Sequence, residues 1–205
     1  MTPTIIILSG LTVAGSFVAG ERARRIKGLT PLHKQIICDI VGVTLALSLL
    51  VFVEATLHYA QGTSFFDLVR SGRWGDVVLP VLISGAVQGI IYEYIGHMTF
   101  PFWYYPQIER LRFLLLFLPL FWAIFMVILQ DSWALFRGAG LDPWLAVGLV
   151  AFVHLSIIEG INLFIHSWVY KGWVNTIYAL APGWILLVLT FVVLQNRYFV
   201  NPFGY

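Results

Sequence analysis

Charge is what this sequence has little of. Of its 205 residues only 12 are Lys or Arg and 10 are Asp or Glu, 11% in all, where an ordinary soluble domain carries about 25%. So few charges cannot cover the surface of a water-soluble fold of this size, and the soluble class is excluded. The net charge of +2 is close to balance, and the basic residues gather in one loop rather than along a groove, which removes the electrostatic basis for binding nucleic acid. Cysteine is nearly missing as well. Cys38 stands alone, which excludes an internal disulfide and the thiolate clusters of zinc or iron–sulfur centres. Only Thr2, Pro3 and Thr4 separate Met1 from the first apolar run, with no basic n-region and no A-x-A site, so a removable signal peptide is not expected.

What fills the chain instead is apolar: 60% hydrophobic residues, 16% of the total aromatic. Several runs approach the roughly 20 apolar residues that cross a bilayer. The expected fold is an all-α polytopic integral membrane protein, a single bundle over residues 1–205. Six spans are predicted, from about Thr4 to Gly20, Ile36 to His58, Val77 to Met98, Leu111 to Gln130, Leu145 to His166 and Thr176 to Gln195. Trp and Tyr collect at their ends as an interfacial belt should. The first span is short and carries Gly10, Ala14, Gly15, Ala19 and Gly20, small residues that suggest close packing against a neighbour. The segment from Thr63 to Arg73 reads as a short amphipathic helix along the interface.

Orientation follows from Lys and Arg, which accumulate in cytoplasmic loops. Arg22, Arg24, Arg25, Lys27, Lys34, Arg110, Arg112 and Lys171 fall on one face, and Arg70, Arg73, Arg137 and Arg197 on the other. Both termini are therefore expected outside the cytoplasm, in a plasma (inner) membrane.

Part of the sequence repeats. Trp103 and Trp168, Tyr105 and Tyr170, Leu129 and Leu194, and Gln130 and Gln195 each stand 65 residues apart, while Glu93 and Glu159 stand 66 apart and Pro119 and Pro182 stand 63 apart. This points to a duplicated two-helix unit over about 77–131 and 145–196. An even number of helices separates the copies, so they would share one orientation, as a parallel repeat about the membrane normal.

Against this apolar background an intramembrane acid is a functional candidate by default, because it costs at least about 2.5 kcal/mol to place there. Asp39, Glu54, Glu93 and Glu159 fall inside spans. His97 follows Glu93 by four residues and His58 follows Glu54 by four; Asn162 and His166 follow Glu159 by three and seven, all spacings that share a helix face. If spans three and five face the same interior, Glu93, His97, Glu159, Asn162 and His166 make one polar cluster, with Asp39 at a similar depth. Acid–base chemistry on a lipid or isoprenoid fits such a cluster, since an apolar pocket can keep a glutamate able to donate a proton. Glu93 and Glu159 would then act as acid and base, oriented by His97, Asn162 and His166, with Asp39 joining them. The stretch Tyr92-Glu93 in a small multi-helix membrane protein resembles membrane-embedded terpenoid cyclases over a few residues, which implies the same substrate class.

Other uses of these residues stay open. Carboxylates and imidazoles together could ligate iron, manganese or zinc, but the di-iron motif spaces Glu and His three apart and here the spacing is four, so no metal is expected; a bis-histidine haem at His97 and His166 is a weaker option, and cofactors are otherwise unspecified. A proton or ion relay could use Glu54, His58, His154 and Glu159 at successive depths. A non-catalytic subunit of a larger membrane complex could contact pigment or lipid through its 16 Phe, 9 Tyr and 8 Trp, with the tail from Arg197 to Tyr205 held by a partner. Each glutamate could equally serve only to tie two helices together.

Overall fold

The computed structural model describes residues 3–100, 102–104, 111–165 and 168–198. They form an all-α bundle in the order α1 (Pro3–Arg25), α2 (Pro31–Gln61), α3 (Phe65–Arg70), α4 (Trp74–Gly89) running on into a π-helix (Ile90–Thr99), α5 (Leu111–Gly138), α6 (Pro143–Ile165) and α7 (Ile177–Tyr198), with two short strands, β1 (Trp103–Tyr104) and β2 (Val169–Tyr170). A helix satisfies its own backbone polar groups, which is what an apolar solvent demands. Local chemistry sets the helix ends. Thr30 caps α2 by accepting from the His33 amide at 3.3 Å, with Pro31 in the first turn, where a missing N–H costs nothing. Gly62, at φ 75°, closes the same helix and returns its amide to the His58 carbonyl.

Among the described residues four helices are long and apolar enough to cross a membrane: Pro3–Ala23, Ile40–Gln61, Val77–Ile95 and Pro143–Phe164. One sequence expectation changes here. The first span is a full 21-residue crossing rather than a short one, and Ile7, Leu8 and Leu11 on it are exposed as lipid-facing side chains would be. In the region of the sixth expected span α7 has 22 residues, with Ala179–Thr190 as its described apolar stretch; side chains of the fourth and sixth expected spans lie partly outside the described part of the structure.

α5 is the central helix, contacting α2, α4, α6 and α7, while α1 lies against α2 and α6. The core follows from that placement. Met126, Ile128 and Leu129 of α5 are buried among Leu49 of α2, Val150 of α6 and Val188 of α7. α5 runs to Gly138, well past the Gln130 at which the sequence ended this span, so Asp131 lies within the helix and is 0% exposed.

The chain alternates between two ends of the bundle. One end carries the α1–α2 turn and an antiparallel ribbon in which Trp103 pairs with Tyr170 and Tyr104 with Val169. The other carries α3 and the α5–α6 turn. α3 is the helix expected between Thr63 and Arg73, and its apolar side docks on the bundle: Ser64 and Phe65 are buried, and Phe66, Leu68 and Val69 pack on the core.

Candidate active site at the ribbon

The ribbon end gathers the aromatic residues that follow α6. Glu159, half-buried on α6, accepts three hydrogen bonds: from the Tyr170 hydroxyl at 2.7 Å, the Trp184 indole at 3.2 Å and the Trp168 indole at 3.3 Å. Three donors on one carboxyl group replace the water that lipid cannot supply. Burial and the negative charge of Glu159 hold the Tyr170 hydroxyl above its ordinary range, so it remains a donor. Asn162, one helical turn beyond Glu159, binds the backbone of Trp168 from both sides of its amide, donating to the carbonyl at 3.0 Å and accepting from the N–H at 3.2 Å. It thereby fixes the residue that brings one of the three donors to Glu159. Asn162→Ala is expected to cost about 1–2 kcal/mol for two buried bonds, read as lowered resistance to unfolding in detergent; unchanged stability would remove the clamp from the account.

Glu93 sits in the π-helix, 6% exposed, and close enough to Tyr170 to act electrostatically on its hydroxyl. Both glutamates thus bear on Tyr170, Glu159 by a hydrogen bond and Glu93 through its charge. Packed rings connect Tyr92, the residue before Glu93, with Trp184, a donor to Glu159. Tyr92 stacks on Trp122 at 5.4 Å, Trp122 meets Phe125 edge-on at 5.9 Å, and Phe125 meets Trp184 at 5.6 Å and His154 at 6.3 Å. The Trp122 indole N–H is buried and makes no hydrogen bond among the described residues. On the ribbon itself Trp103 packs edge-on to Tyr170 at 6.2 Å, and the Lys171 ammonium lies 5.4 Å from the Tyr104 ring centre.

The sequence-expected cluster thus assembles in part. Glu159 and Asn162 both bind the segment of Trp168–Tyr170, and Glu93 lies within electrostatic range of Tyr170. His97 belongs to the π-helix; its side chain lies outside the described part of the structure, as does that of Asp39. His166 lies outside the described residues altogether. Tyr170, Trp168 and Trp184 had read as interfacial anchors or packing, although the Trp-x-Tyr spacing brings two donors to Glu159. No group of three or more metal-ligating side chains is placed to hold an ion among the described residues.

At the opposite end, pairings differ from those expected. His58 does not join Glu54; its Nδ1 lies 2.6 Å from Asp67 Oδ2, to which the Ser64 hydroxyl also donates at 2.9 Å. Glu54, fully buried, accepts from the Phe66 amide at 3.2 Å. Burial works against an ionised Asp67, but the bonds from His58 and Ser64 outweigh it and hold the carboxyl below its ordinary 3.8. A depressed folded value stabilises above the ordinary carboxylate range, and that contribution is lost as pH falls through the lower folded value. Protection of the α3 amides, taken relative to the intrinsic exchange rate at each pH, should thus stay level from neutral pH down to about that range and fall below it. The acid step should vanish in Asp67→Asn, and its persistence there would assign the loosening to another group.

No known protein family, curated protein or solved structure matches this chain.

Proposed function

We propose that this integral membrane protein is an enzyme performing acid–base chemistry on a lipid or isoprenoid drawn from the bilayer, with Glu93 and Glu159 as its paired acid and base. The observation that carries this reading is the Glu159 carboxyl group, held by three neutral donors in an aromatic shell, with a second buried glutamate, Glu93, within electrostatic range of the same tyrosine. A group surrounded by donors serves as the acceptor, which assigns Glu159 as base and Glu93 as acid. Addition of the Glu93 proton to a double bond leaves a carbocation. The faces of Tyr92, Trp122 and Trp184 can stabilise that charge by cation–π attraction. Loss of a proton from a neighbouring carbon to Glu159 completes an isomerisation or cyclisation with no net change in the substrate's protons or electrons, and the proton on Glu159 must return to Glu93, directly or through solvent, before the next turnover.

A two-fold relation between the halves of the chain supports pairing the glutamates. With Trp103, Tyr104 and Tyr105 matched to Trp168, Val169 and Tyr170, the ribbon joins Tyr104 to its own counterpart and Trp103 to the counterpart of Tyr105. That register is the one a two-fold axis through the Tyr104–Val169 pair requires. The single break in the offsets has a structural counterpart too. Glu93 precedes Trp103 by 10 residues and Glu159 precedes Trp168 by 9, and a π-helix accommodates one inserted residue; the π-helix lies in the copy with the extra residue. Six crossings, a plasma-membrane location and termini on the non-cytoplasmic side complete the proposal.

The test is turnover. Protein reconstituted in nanodiscs is supplied with isoprenoid and polar lipid fractions and the products are separated by mass spectrometry. Conversion at unchanged mass by the native protein, lost in both Glu93→Gln and Glu159→Gln, is the expected result. Full conversion by both variants would overturn the assignment.

A further inference from the structure

The end of the bundle remote from the ribbon holds a second set of buried polar groups that the proposed chemistry does not use. Glu54 and Asp131 are each 0% exposed, and their carboxyl groups lie within hydrogen-bonding reach of each other. Neither oxygen of Asp131 receives an N–H or O–H from any described neighbour, nor does Oε1 of Glu54. Two carboxyl groups in contact can hydrogen-bond only through a proton held between them, and two buried like charges at that separation repel strongly. Nearby charge adds to the repulsion. The charges bearing on Asp131 are those of Glu54 and of Asp67 on α3. Arg137, further along α5, turns its guanidinium to the Leu141 carbonyl and over the Trp133 ring; Arg70 ends α3, and Arg73 precedes α4.

The pair is also connected. The Ser64 hydroxyl, fully buried, bonds to Asp67 and reaches Glu54. Asp67 bonds His58, and these two side chains are 28% and 30% exposed, so the series ends in contact with the surroundings of the bundle. Inward, the residue after Asp131 is Ser132, whose hydroxyl lies 2.9 Å from Nε2 of His154 on α6. That imidazole is 1% exposed and its Nδ1 has no partner among the described residues.

We propose that Glu54 and Asp131 form a proton-loading site, filled from the α3 end of the bundle through His58, Asp67 and Ser64. Each transfer moves one proton between neighbouring polar groups and needs no cofactor. The ligand is the proton itself, and the site stands apart from the Glu159 cage.

Infrared spectroscopy of the full chain in proteoliposomes tests this directly. At neutral pH the native protein should show the carbonyl stretch of a protonated carboxyl group that shifts in D2O. The stretch should lose intensity in the Glu54→Gln/Asp131→Asn double variant, the part contributed by protonated Glu93 remaining, and lose none in Glu159→Gln. The deuterium shift of the part lost should develop more slowly in His58→Phe and in Asp67→Asn, surface replacements that leave the buried pair in place. Absence of the band in native protein, or its undiminished intensity in the double variant, would overturn the loading site. Exchange as fast as native in both surface variants would overturn the path even if the double variant failed to fold.

Discussion

Glu159→Gln is expected to lower turnover by about 100-fold or more while leaving the protein inserted and folded, because a positioned acid or base contributes about 10²–10⁴ in rate. Glutamine is the informative replacement because its geometry is nearly unchanged. Its carbonyl oxygen can still accept from Tyr170 and Trp184, which share Oε1 of Glu159, while its NH2 would face the Trp168 indole, a donor against a donor. One bond is lost, at about 1 kcal/mol, and the ability to take up a proton is lost entirely. Glu159→Leu makes the contrast, since it leaves three donors without a partner and should lower stability by about 3 kcal/mol at roughly 1 kcal/mol per bond. Stability measured by unfolding in mixed micelles, beside turnover in the same preparations, separates the two roles. If glutamine keeps near-native turnover while leucine destabilises, Glu159 is a tie between α6, β2 and α7 and not a base.

The glutamates themselves were legible in the sequence, because an acid in an apolar run stands out and the repeat put two of them in matching places. Their surroundings were less so. Spacing arguments assume an α-helix throughout, and nothing in the sequence announced the π-helix at Ile90–Thr99 that carries Glu93. Asp131 escaped notice for a different reason. A window of about 20 residues stops at Gln130, but α5 has 28 residues, about 42 Å at 1.5 Å per residue, and the acid that looked like a loop residue is buried in its interior. Glu54 and His58 share a face of α2 as the spacing implied. Their partners come from α3 and α5, however, and long-range contacts of that kind leave no periodic trace.

The first span does pack along a neighbour, α2, as its small residues suggested, but the tightest helix approach lies elsewhere, and Gly85→Ala shows the consequence. On α1 a methyl group at Gly15 would meet nothing within 4 Å, and one at Gly10 would rest at 3.4 Å from the Phe52 ring, an ordinary contact. At Gly85 of α4 it would lie 2.6 Å from the Ala123 backbone nitrogen and 2.7 Å from its Cα. Those atoms belong to the α5 backbone, so no side-chain rotation relieves the clash and the two helices must move apart. Overpacking of this kind costs about 1–3 kcal/mol. It opposes the roughly 1 kcal/mol that alanine normally gains over glycine in a helix, so the sign of the change is itself diagnostic. Gly85→Ala should unfold at lower denaturant than native protein, whereas Gly15→Ala and Gly148→Ala, both with open space around the added methyl, should be neutral or more stable. Equal stability of all three would mean that α4 and α5 do not approach this closely. Separation at Gly85 also reaches the site, because one turn further along α4 a methyl at Gly89 would sit 3.0 Å from the Trp122 ring, the ring that stacks on Tyr92 beside Glu93. A Gly85→Ala protein that remains folded should therefore lose turnover as well, through displacement of the helix that carries the acid, while Gly148→Ala keeps it.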